Sequence, residues 1–224
     1  MRITLSTGTA AELALPPEGT PVRRGLVLWP DIFGLRPLFD GHAQRLANEH
    51  SWAVVAVEVF PGRENLPLED RFRVVADLDD AAKVADAEAA AAVAAEHGSG
   101  PIGLLGFCMG GMYVMKSLAS PVFDRGAAFY GMIRMPENWR SPVQHDAIDS
   151  VRGRPSDLLA LFGTVDPWCP LDQIDELEAT GAHVVRYEGA DHGWAQDETR
   201  DNYRPADATD AWSRAERFLA SGEA

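Results

Sequence analysis

This 224-residue chain is most informative for what it has little of. Two cysteines, Cys108 and Cys169, are too few for the disulfide framework of a small secreted scaffold. Basic residues are outnumbered, 20 Lys and Arg against 34 Asp and Glu, and the formal net charge is −14. That balance disfavours nucleic acid and anionic membrane surfaces, so neither is an expected partner. No apolar run reaches the roughly 18 residues of a membrane span. Met1–Ala14 also lacks the apolar core and processing site of a secretory leader, so a cytoplasmic protein is expected. Ligand spacings such as Cys-x-x-Cys or His-Glu-x-x-His are missing, which leaves no support for a metal site. The glycines at 106, 110 and 111 do not end in Gly-Lys-Ser/Thr, so they form no phosphate loop.

Strand and helix patterns alternate along the chain. Arg2–Ser6 and Ala10–Leu15 read as an amino-terminal hairpin around Thr7-Gly8-Thr9. Gly25–Trp29, Ala53–Val59, Ile102–Leu105, Gly126–Phe129, Leu158–Phe162 and Ala182–Tyr187 are short apolar runs with the composition of buried strands. Helical periods occupy Pro37–Glu49, a long Ala-rich region over Glu69–Glu96 that is either continuous or broken, the segment after Cys108, and Ala206–Ala220. Pro136–Arg154 has no clear period and is expected to be an excursion over the sheet edge, of the kind that forms lids and binding loops. The order implies one α/β domain over residues 1–224, a doubly wound, mostly parallel sheet flanked by helices. Ligands in such sheets bind beyond the carboxyl ends of the strands.

One segment stands out. Gly106-Phe107-Cys108-Met109-Gly110-Gly111 joins a strand pattern to a helix pattern, the layout of a nucleophile elbow with cysteine in the usual place of serine. A helix starting at Met109 directs its free N–H groups and positive dipole end at the sulfur, which favours the thiolate. Taken alone, a cysteine here could be a compact buried hydrophobe. Asp166, after the run Leu158–Phe162, and His192, after Ala182–Tyr187, change that balance. Nucleophile, acid and histidine in that chain order, each at a strand end, follow the α/β-hydrolase arrangement. His145 is the one rival histidine, and Asp191 competes with Asp166 as the carboxylate. Trp168 and Trp194 flank the acid and the histidine, and Tyr130 ends a strand. Each is either a wall for substrate or plain core packing.

The chain resembles the dienelactone hydrolase (carboxymethylenebutenolidase-like) family of α/β hydrolases. The resemblance runs from Gly25 to about Leu219. It is carried by Leu28-Trp29-Pro30-Asp31-Ile32-Phe33-Gly34-Leu35, the Gly106–Gly111 elbow, Gly163-Thr164-Val165-Asp166 and Gly189-Ala190-Asp191-His192-Gly193-Trp194. It implies a Cys108, Asp166, His192 triad, oxyanion donors at the backbone N–H groups of Met109 and Ile32, and hydrolysis of a small-molecule ester or enol-lactone through a thioester. It implies no metal and no organic cofactor; separately, a monomer or homodimer is expected. Two departures matter. Family members place a glutamate before Ile-Phe-Gly that interacts with the resting cysteine, whereas this chain has Asp31, which shares the charge with less reach. They also carry an arginine four residues after the histidine that holds the substrate carboxylate, whereas this chain has Gln196. Arg36, Arg71 or Arg73 could supply the missing cation. A non-catalytic ligand-binding relative, and a thiol-redox protein using Cys108 with Cys169, are the alternative readings.

Overall fold

A computed structural model describes residues 1–224. Its strands are β1 (Arg2–Thr4), β2 (Ala10–Ala14), β3 (Arg24–Trp29), β4 (Trp52–Val57), β5 (Ile102–Phe107), β6 (Arg125–Phe129), β7 (Leu158–Gly163) and β8 (His183–Tyr187). They form one sheet in the order β1-β2-β4-β3-β5-β6-β7-β8. Pairing is antiparallel at β1–β2 and β2–β4 and parallel from β4 to β8. The helices are α1 (Pro37–His50), α2 (Leu68–Val74), α3 (Asp80–Ala95), α4 (Met109–Ser117), α5 (Ala147–Val151), α6 (Leu171–Ala179) and α7 (Pro205–Ser221). This is the mostly parallel, helix-flanked architecture expected, and no helix is long and apolar enough to cross a membrane.

The central strands are buried at every position because helices cover both faces. On β5 the alternation is visible residue by residue. Phe107 packs between Phe39 of α1 and Trp212 of α7, while Gly106, one residue earlier, lies against Gly110 and Val114 of α4. Beneath α4, Lys116 Nζ bonds both oxygens of Asp80 at 2.7 and 2.8 Å, a buried pair that ties α4 to the start of α3.

Two features add to the sequence reading. The Ala-rich region is two helices, broken by a 3-10 turn at Val75–Asp77 and an extended Leu78. The break is capped by Asp79, whose carboxylate accepts from Ala81 N–H and Ala82 N–H. Helix α6 was not expected. With buried Ile174 and Leu177 as its main apolar signal, it is too short for a convincing period, yet a parallel β7–β8 pair requires a crossover of this kind.

The elbow depends on close backbone approach. A Cβ on Gly110 would lie 2.2 Å from the Pro30 carbonyl oxygen and 2.3 Å from that of Trp29, and backbone atoms cannot swing aside. Gly110→Ala is therefore expected to lower stability by about 3 kcal/mol or more, read by denaturant unfolding.

Candidate active site

Each chemistry-bearing residue sits at the carboxyl end of a strand. Cys108 follows β5 with φ 56° and ψ −121°, a left-handed conformation costly for a side-chain-bearing residue. The turn is held by Cys108 N–H donating to Phe129 O (3.0 Å) and Met112 N–H donating to Cys108 O (3.1 Å). Strain of this kind at a strand-to-helix turn lifts the sulfur above the sheet, and Cys108 is partly exposed in a cavity of about 180 Å³.

His192, after β8, lines the same cavity. Its Nδ1 is 2.8 Å from Asp166 Oδ2, while Trp168 N–H donates to Asp166 Oδ1 at 2.8 Å. Because a carboxylate only accepts, Nδ1 carries the proton, and the buried Nε2 has no hydrogen-bond partner within the protein. Burial alone would depress the imidazole. The nearby Cys108 and the Asp166 hydrogen bond reverse this, and the pKa is pushed up to about 10. The two amides expected as oxyanion donors, Met109 N–H and Ile32 N–H, make no hydrogen bond within the protein.

Asp31 is 2 % exposed and fully engaged. Arg36 grips it bidentately (2.6 and 2.8 Å), Phe33 N–H donates to it at 3.0 Å, and Gln196 Nε2 donates at 3.2 Å. No hydrogen bond joins Asp31 to Cys108, so in this chain the short carboxylate is paired with Arg36 instead of the thiol. Arg36 is thereby occupied, and of the other two sequence candidates Arg73 is exposed and paired with Asp70 (2.8 Å), while Arg71 is buried against backbone carbonyls.

Tyr130 and Trp194 are wholly buried and neither lines the cavity. The Tyr130 hydroxyl is bonded to Gln196 Oε1, and its ring meets that of His192 edge-on at 5.2 Å. Trp194 packs on Tyr187 at 4.4 Å. They support the His192 loop from behind. The cavity wall is instead Phe72, Trp139 and Trp168, three near-parallel rings with centroids 5.4 to 6.0 Å apart, Trp139 coming from the unpatterned excursion.

The residue that sequence reasoning missed is Arg200. It lines the cavity and lies against Gly193, yet it makes no salt bridge and no side-chain hydrogen bond. No motif marks it; only the path of the loop after His192 brings it back over the site. The rival His145 is held elsewhere, with Nδ1 2.8 Å from Asp80 and Nε2 2.8 Å from Ser150. Cys169 is buried beneath the His192–Asp166 pair, and burial, then the charges of Asp166 and Cys108, push its thiol pKa well up. Donor atoms of Asp166, Cys169 and His192 lie within 4.8 Å of one another, a set that could in principle hold a soft metal. The His192–Asp166 hydrogen bond and the protonated thiol already occupy those donors.

The dienelactone hydrolase family model matches residues 10–222. A carboxymethylenebutenolidase of Rhodococcus opacus is 30% identical over 220 residues, covering 89% of this chain and 83% of the relative. Carboxymethylenebutenolidase 2 of Cupriavidus pinatubonensis is 29% identical over 215 residues, covering 91% and 88%. A Klebsiella pneumoniae structure described as a candidate dienelactone hydrolase superposes with a TM-score of 0.85 at 23% identity, covering 99% of this chain and 98% of that one.

Proposed function

Since the chain belongs to the dienelactone hydrolase family, we propose that it is a cysteine-dependent hydrolase of small esters or enol-lactones, working through a thioester on Cys108. The observation that carries this reading is the cavity that Cys108 and His192 share, with the imidazole bonded to Asp166 at Nδ1. An imidazole oriented in this way is placed to take the thiol proton and later deliver it to the leaving group.

The Cys108 sulfur attacks the acyl carbon, and the carbonyl oxygen becomes an oxyanion received by Met109 N–H and Ile32 N–H. Collapse breaks the acyl–oxygen bond, and the leaving alkoxide or enolate takes the proton from His192 Nε2. Neutral His192 then removes a proton from water, whose oxygen attacks the thioester. The acid departs, and the proton returns the pair to its starting state. Thiolate is itself a good leaving group from the first tetrahedral intermediate, so substrates with good leaving groups, activated esters and enol-lactones, are favoured over amides.

The cavity suggests the substrate's shape. A flat aromatic wall suits a small conjugated ring, and an unpaired guanidinium suits a carboxylate. Arg200 then takes the place of the cation lost where Gln196 stands. The two curated relatives are named for a lactone bearing a carboxymethylene arm, which agrees with this. Arg200→Gln is expected to lower kcat/KM for an enol-lactone with a free carboxylate by about 10- to 100-fold, the range for one charged hydrogen bond. Its effect on the matching neutral methyl ester should stay within about 2-fold. Equal loss on both substrates would remove Arg200 from carboxylate recognition.

A further inference from the structure

Arg71 on α2 is 5 % exposed and has no carboxylate partner. Its guanidinium is satisfied by three backbone carbonyls: Leu66 O from Nε at 2.9 Å, Ile32 O from one terminal nitrogen at 3.2 Å, and Glu64 O from the other. The group also lies over the Phe60 ring, 5.2 Å from its centroid. A buried cation without a counter-ion is costly, so the position calls for something only this fork can do. On the other side of the same loop, buried Glu58 accepts from Leu35 N–H (3.0 Å) and Phe60 N–H (2.8 Å), again with no ion pair. Between them the segment Ile32–Leu35 is pinned at a carbonyl and at an amide, in a turn where Gly34 has φ 69°. A Cβ on Gly34 would come within 2.6 Å of Glu58 Oε1.

We propose that Arg71 is a positioning residue that sets the oxyanion-binding loop by holding the Ile32 carbonyl, and is not a substrate cation. It does not line the cavity, in contrast to Arg200. This rests on the reading above in which Ile32 N–H receives the oxyanion. With the Ile32 carbonyl fixed by the guanidinium and Leu35 N–H fixed by Glu58, the Ile32 N–H is left facing the acyl oxygen. A lysine could reach one of the three carbonyls as a point charge but could not bridge the Glu64–Leu66 loop to Ile32.

The test uses two reactions of the same sulfur. Ester turnover needs the oxyanion donors, whereas alkylation of Cys108 by iodoacetamide passes through no oxyanion. Arg71→Met is expected to lower kcat on p-nitrophenyl acetate by about 10²-fold with KM nearly unchanged, the scale of losing or misplacing one donor. The Cys108 alkylation rate should stay within about 2-fold of wild type, and Arg71→Lys should fall between, with at least about a tenfold kcat loss. If Arg71→Met does not fold, Arg71→Lys decides on the same two readouts. The proposal is overturned if kcat stays within about 3-fold of wild type, or if alkylation falls in parallel with kcat. Failure of the underlying reading shows differently, as ester turnover retained in Cys108→Ala.

Discussion

Cys108→Ala is expected to lower kcat/KM on an activated aryl ester by at least about 10⁴-fold, the loss proper to a nucleophile whose neighbours remain in place. The substitution keeps the left-handed φ of 56° that the elbow already imposes, so the fold should be unaffected and the loss chemical. Cys108→Ser is expected to be intermediate, because a hydroxyl in the same place must be deprotonated during attack and depends more heavily on His192. The alanine variant should also change the histidine. Burial opposes the raised pKa of His192 and the Cys108 charge is the first influence sustaining it, so removing the sulfur moves the imidazole titration down from about 10. Histidine NMR across a pH series reads this directly. A wild-type turnover in Cys108→Ala would end the thioester mechanism, and an unmoved His192 titration would separate the imidazole from the thiol.

Asp166→Asn should cost between about 10² and 10⁴ in kcat. The upper end is the loss when a triad carboxylate no longer fixes the imidazole tautomer; a thiolate needs less base assistance, which sets the lower end. Asparagine can offer its NH2 group to Nδ1, which holds the proton on Nε2 and leaves that nitrogen unable to accept the thiol proton. The pH profile adds a second readout with a defined sign. His192 is raised with Asp166 as a contributor, so in the wild type the imidazolium proton is present below about pH 10 and turnover that uses it falls as pH rises through that value. In Asp166→Asn this alkaline limb moves to lower pH. An unchanged limb with unchanged kcat would contradict the role given to Asp166.

The sheet, and the placing of Cys108, Asp166 and His192 at strand ends, were legible because both have local signatures. Buried β-branched and apolar runs mark parallel strands, and glycines bracketing Cys108 mark a turn where side chains would collide with neighbouring backbone, at Gly110 with that of Trp29 and Pro30. The cavity was less legible, since its residues are far apart in the chain. Phe72, Trp139 and Trp168 come from a helix, an unpatterned excursion and a strand-end loop, and nothing local links them. Trp194 and Tyr130 have the composition of a substrate wall but turn inward, because Tyr187 and Gln196 offer them partners. Arg36, a candidate replacement for the missing cation, is taken by Asp31 at bidentate distance. Arg200 gave no signal because a lone arginine in a polar loop is ordinary. What distinguishes it is the lack of a partner beside a partly exposed thiol, and that is a property of the fold.

The most direct measurement is acid-quenched peptide mapping during steady turnover of p-nitrophenyl acetate. The account predicts an acetyl group on the peptide containing Cys108, labile to hydroxylamine as a thioester is, absent in Cys108→Ala and accumulating in Asp166→Asn if deacylation slows. An enzyme that turns over with Cys108 unmodified and free at every time point, or with the acetyl group on another residue, would contradict it.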